Sequence, residues 1–140
     1  MVDRTTARDE LSALVKTALA GETTLQWRYD DQPGDAPAAP AKWVRLSIRH
    51  TASPQRTLGP LGTGQRRYDT LGLLFVQLFT PMGDGLLEAD RISMLLVTAL
   101  RGAVTTSGVK IKAVTAREIG PDGAWQQTNI TAEFEYHETA

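Results

Sequence analysis

From Leu71 to Phe79 the chain reads Leu-Gly-Leu-Leu-Phe-Val-Gln-Leu-Phe, with apolar side chains on both parities of a two-residue repeat. A strand of this kind cannot turn one face to water. It belongs in the middle of a sheet, covered by helices on one side and in part by something else on the other. Pro81-Met-Gly-Asp-Gly85 ends it.

The rest of the chain supplies partners for such a strand. Ala7 to Ala20 carries Leu11, Leu14, Val15, Ala18 and Leu19 at helical spacing, with Thr6 as cap, Asp9 and Glu10 at the positive end of the helix dipole, and Gly21 as the left-handed residue that closes it. Thr24 to Tyr29 alternates as a half-buried strand, as does Trp43 to His50, where Val44, Leu46 and Ile48 face in and Arg45, Ser47 and Arg49 face out. A second helix is expected over Leu86 to Arg101, burying Leu87, Ile92, Leu95, Leu96, Ala99 and Leu100 and closed by Gly102. Val109 to Ile119 and Trp125 to His137 read as strands joined by a turn at Gly120-Pro-Asp-Gly123. The expected fold is α+β: an antiparallel or mixed sheet of about five strands with two helices packed on one face.

Two stretches break the pattern. Residues 31–42 hold three prolines and several alanines, which predicts a solvated, mobile linker. Residues 50–67 have no period and carry Arg56, Arg66 and Arg67, which predicts a long basic loop. With 140 residues, 41% of them hydrophobic, the chain is expected to form one domain over 1–140.

Composition removes several kinds of chemistry. There is no cysteine, so thiolate catalysis and Cys-ligated metals are excluded. The net charge of -1 predicts no general attraction to nucleic acid or to an anionic membrane, and the polar N-terminal residues lack the apolar core of a secretory signal. A soluble intracellular domain is expected. The two histidines, His50 and His137, lack metal-ligand spacing and read as surface residues. No serine lies in a GxSxG turn. The glycines from Gly59 to Gly64 lack the GxxxxGK[ST] spacing of a phosphate loop and read as a hinge. Glu133 and Glu135 could suggest acid/base work, but alternate polar residues are what any solvated strand face presents. No catalytic residue, metal site or cofactor is expected.

Charge is segregated instead. Four arginines and no acid lie from Arg49 to Arg67, while acidic residues gather at Asp30, Asp31 and Asp35, around Asp84 to Asp90, and at Glu133, Glu135 and Glu138. That pattern suits a head-to-tail protein contact, or simply scattered solvated charge, better than nucleic acid, since neither interleaved exposed aromatics nor a basic recognition helix accompanies it.

The ordered combination of Gly64-Gln-Arg-Arg-Tyr-Asp-Thr-Leu-Gly-Leu-Leu-Phe-Val-Gln-Leu-Phe-Thr-Pro-Met-Gly-Asp-Gly85, a following helix, Gly108-Val109, Gly120 to Trp125 and the terminal Glu135-Tyr-His-Glu138 resembles the phage tail terminator-like family, and the likeness covers nearly the whole chain. The resemblance implies a nonenzymatic minor tail protein of a bacteriophage or prophage. Such a protein forms a ring, typically a hexamer, on the head-proximal end of the tail tube and stops its growth. Its implied partners are other copies of itself, the tail tube protein and a head completion or connector protein, with no membrane and no specific nucleic acid. Its implied location is the virion tail, reached from the host cytoplasm. Within that pattern Gln65, Arg66, Arg67, Tyr68 and Asp69 occupy the loop-to-strand signature. Together with Arg56 on the basic side and Glu133 and Glu135 on the acidic side, they are the expected subunit contacts. Another head-tail connector role, or less readily a small nucleic-acid-binding domain, is the alternative.

Overall fold

The computed structural model describes residues 3–29, 41–55, 67–83 and 86–139. The elements follow the order α1 (Arg4–Ala18), β1 (Gln26–Tyr29), β2 (Trp43–Ala52), β3 (Arg67–Pro81), α2 (Leu86–Leu100), β4 (Lys110–Asp122) and β5 (Trp125–Thr139). The five strands form one mixed sheet in the order β1-β2-β3-β5-β4, in which only the β1–β2 pair is parallel. The strand that reads as apolar on both faces is the middle one, as its composition requires.

Alternation decides which face is covered. Val44, Leu46 and Ile48 of β2, Leu74, Val76 and Leu78 of β3, and Ile130, Ala132, Phe134 and Tyr136 of β5 are buried beneath Ala7, Leu11 and Val15 of α1 and Ala89, Ile92, Leu96 and Leu100 of α2. Both helices thus cover one face. The opposite face carries the odd-numbered residues of these three strands.

Several local expectations are corrected. Asp3, not Thr6, caps α1, its Oδ1 accepting the Thr6 N–H at 2.7 Å, so the helix starts earlier than its apolar stripe. Gly21 has no positive φ, because α1 already ends at Leu19. In α2, Leu87 is 84% exposed and Leu95 is 40% exposed, while Ala89, Ser93 and Val97 join Ile92, Leu96 and Leu100 inside. Nearly every turn of this helix offers an apolar residue, so its stripe alone does not fix its rotation.

The β4–β5 turn falls at Gly123-Ala124, one step beyond the expected place, with Asp122 opposite Trp125 and Gly123 at φ 62. Gly120, at φ 111, serves a bulge in β4 instead. The expected loop from residue 50 is shortened, since β2 continues to Ala52 and Gln55 bridges Tyr68 of β3. At the end of the expected linker, the Trp125 indole donates to the Ala41 carbonyl at 2.9 Å, and Lys42 sits in an ion cluster. The remainder of both stretches lies outside the described residues.

His50 is only partly exposed and its ring is packed, unlike a free surface histidine. It continues the inward parity of Leu46 and Ile48, and its ring lies edge-on to Phe134 and Tyr136 with centroids 5.5 and 5.7 Å away. Both ring nitrogens are buried and make no hydrogen bond among the described residues. Burial, and then the nearby Arg4 and Arg8, hold the imidazole below its usual pKa, which favours the neutral form.

Candidate functional site

The face without helices is built from three neighbouring rows. Arg45, Ser47 and Arg49 of β2 stand opposite Gln77, Phe75 and Leu73 of β3, which in turn stand opposite Asn129, Thr131 and Glu133 of β5; Leu71 faces Glu135. Strands lie about 4.8 Å apart, so the arginine and glutamate rows are separated by about 10 Å across a half-buried apolar stripe. More broadly, β1 and β2 contain Arg28, Arg45 and Arg49 and no acid, whereas β5 contains Glu133, Glu135 and Glu138 and no lysine or arginine. β4, outside β5, carries Lys110, Lys112 and Arg117 with Glu118 and Asp122, so the asymmetry lies between β2 and β5 on either side of β3.

At the Trp end this face is closed by aromatics. Trp43 stacks on Phe79 with centroids 4.0 Å apart and meets Trp125 edge-on at 6.0 Å, while the Arg45 guanidinium lies 5.4 Å from the Trp43 ring. At the other end, Arg67, Asp69 and His137 form a polar cluster. Asp69 stands directly opposite His137, with Oδ1 and Nδ1 2.5 Å apart, and an Arg67 nitrogen lies 2.8 Å from His137 Nε2. Arg67 Nε also lies 3.5 Å from the Asp69 carboxylate. Beside them the Thr70 hydroxyl donates to Glu138 at 2.9 Å and shares a 2.8 Å hydrogen bond with Ser53.

Of the expected contact residues, Arg67, Tyr68 and Asp69 therefore begin the central strand and are not carried on a loop. Arg67 and Asp69 already have partners within the chain. Glu135 is paired with Lys112 at 3.0 Å, whereas Glu133 is exposed. Arg56, Gln65 and Arg66 lie outside the described residues. Sequence reasoning missed the Asp69–His137 pair, which depends on the β3–β5 register. The outward parity of Arg45 and Arg49 was legible.

A second ion cluster joins the start of α2 to the chain before β2. Arg91 donates to Glu22 and, at 2.6 Å, to Glu88, while Lys42 reaches Glu88 at 3.0 Å and Glu22 at 3.6 Å. The Arg91 and Lys42 hydrogen bonds pull the Glu88 carboxyl down to about 2. They serve to pin the helix to the edge of the sheet.

Among the described residues no group of His, Asp and Glu is arranged to hold a metal ion, and no helix is long and apolar enough to cross a membrane. No family model and no curated protein matches the sequence. A solved structure that bears a serial label in place of a functional name is similar over 91% of this chain and 94% of its own, with a TM-score of 0.64 and 17% identity. At that identity the likeness concerns the fold.

Proposed function

We propose that the chain is a structural assembly protein that joins copies of itself head to tail into a ring, in the manner of the phage tail terminator-like proteins that its sequence resembles. In that role the ring would cap the head-proximal end of a tail tube, stop its growth and offer a surface to a head completion protein. The observation that carries the reading is the unlikeness of β2 and β5, the strands on either side of β3. The β1 and β2 strands hold arginines and no acid, β5 holds glutamates and no lysine or arginine, and β4, which ends the sheet beyond β5, carries Lys110, Lys112 and Arg117 with Glu118 and Asp122. A head-to-tail contact needs two different, complementary surfaces on one subunit, and the arginines of β2 and the exposed Glu133 of β5 offer groups of opposite sign for one.

The test is to size the purified protein across concentration and to image it by electron microscopy with and without tail tubes. Closed rings that seat on tube ends support the reading. A chain that stays monomeric at all concentrations and does not bind tubes rejects it.

A further inference from the structure

The two helices present unlike outer faces. α1 turns Arg8, Asp9, Lys16 and Thr17 outward, as a surface helix does. α2 instead exposes Leu87, Met94 and Leu95, with Met94 56% accessible. Leu87, Met94 and Arg101 follow one another at intervals of seven residues, so they share nearly one line along the helix, and Asp90 lies beside that line one turn from both Leu87 and Met94. The Arg101 amide still donates to the Val97 carbonyl at 3.0 Å, which keeps Arg101 in helical register. Arg91 is held by Glu22 and Glu88, but neither Asp90 nor Arg101 has a side-chain hydrogen bond or ion pair among the described residues.

We propose that this face of α2 binds the same face of a second copy of the chain, the two helices running antiparallel about a twofold axis level with the Leu95–Leu96 peptide bond. Asp90 and Arg101 are eleven residues apart, about 16 Å or three turns. Antiparallel pairing about that axis sets Asp90 of each copy level with Arg101 of the other. The contact then closes with an ion pair on either side of an apolar centre formed by the two Met94 side chains, and Leu87 packs one turn further out against the end of the other helix. Parallel pairing would set Asp90 on Asp90 and Arg101 on Arg101. Charge thus selects a second copy in one orientation, where an apolar face alone would name no occupant. A face of four turns is smaller than a permanent dimer interface, so the pairing should be reversible. The inference goes beyond the assembly reading and stands whether or not rings form, because it uses the helix layer and stops at two copies.

The test is run on the Glu133→Arg chain, in which the head-to-tail contact of the sheet is expected to be weakened, so that failure of the ring reading and failure of this one are told apart. Sedimentation equilibrium should show monomers and dimers in exchange. Met94→Lys, Asp90→Arg and Arg101→Asp should each weaken the dimer about tenfold or more, with helical content by circular dichroism retained. An equal mixture of the Asp90→Arg and Arg101→Asp chains should pair again, since each then meets the opposite charge at both ends, and so should a chain that carries both substitutions. A monomer at every concentration, which would leave the face to another protein, would overturn the proposal. So would a dimer that Met94→Lys leaves intact, or single charge variants that neither mixing nor the double substitution rescues.

Discussion

The ring of Phe134 lies across Gly72, its direct neighbour on β3, so that a Cβ at residue 72 would overlap Phe134 Cζ and the carbonyl oxygen of Arg49. His50 is the neighbour of Gly72 on the other side, and its ring meets Phe134 edge-on over the glycine. The absence of one side chain lets two rings close over the middle of the sheet. Gly72→Ala should therefore destabilise the fold by about 1–3 kcal/mol in urea titration. Phe134→Leu relieves only the ring overlap, so the double variant should remain less stable than Phe134→Leu alone.

Burial separates the two faces of β3 energetically. Leu96 is fully buried against the helix-covered face, and Leu96→Ala should cost about 2–5 kcal/mol. Phe75 is only half-buried on the open face, so Phe75→Ala should cost clearly less in the monomer. If the open face is used in assembly, the same substitution should weaken self-association more than it weakens folding. Denaturant midpoints and sedimentation, measured on the same samples, separate these effects.

Stability should fall in two stages on acidification. His50 has its folded pKa held below 6.5, so below that pH the unfolded chain takes up the proton first and the folded state loses ground. Glu88, held at about 2 against an ordinary 4.5 by Arg91 and Lys42, contributes stability that is complete above about 4.5 and lost as pH falls towards 2. Glu22 is lowered in the same sense by Arg91. Urea midpoints against pH should show both stages, with His50→Gln removing the upper one. Added salt should shrink the lower one, because the Arg91 side chain is half exposed and exposed pairs are screened.

Much of this architecture was legible in the sequence because it rests on local periodicity. The alternation of Val44, Leu46 and Ile48, and of Ile130, Ala132, Phe134 and Tyr136, places the covered face directly. Extending the first of these series by two residues would have placed His50 inside. The rotation of α2 was not legible, since Leu87 and Leu95 compete with Ala89 and Val97 for the buried stripe and only the sheet decides between them. The hairpin slipped because Gly120 and Gly123 both permit a positive φ, and the ladder assigns one to a bulge and the other to the turn. The arginine and glutamate rows could be read as outward-facing one at a time. Their placement on either side of β3, and the meeting of Asp69 with His137, come from pairings between distant segments, which no local pattern encodes.

Charge reversal probes the asymmetric sheet. Arg49→Glu and Glu133→Arg each give the β2 and β5 rows the same sign and should weaken self-association about tenfold or more, with little change in the urea midpoint of the monomer for the exposed Glu133. Arg67→Glu differs, because Arg67 is bound to Asp69 and His137 within the chain, and should lower monomer stability as well.

Sedimentation velocity of the unmodified chain over a hundredfold range of concentration addresses self-assembly most directly. The account predicts a closed species of fixed size that grows at the expense of the monomer and that Glu133→Arg suppresses. A single monomeric boundary throughout, or an oligomer indifferent to Glu133→Arg and Arg49→Glu alike, would contradict it.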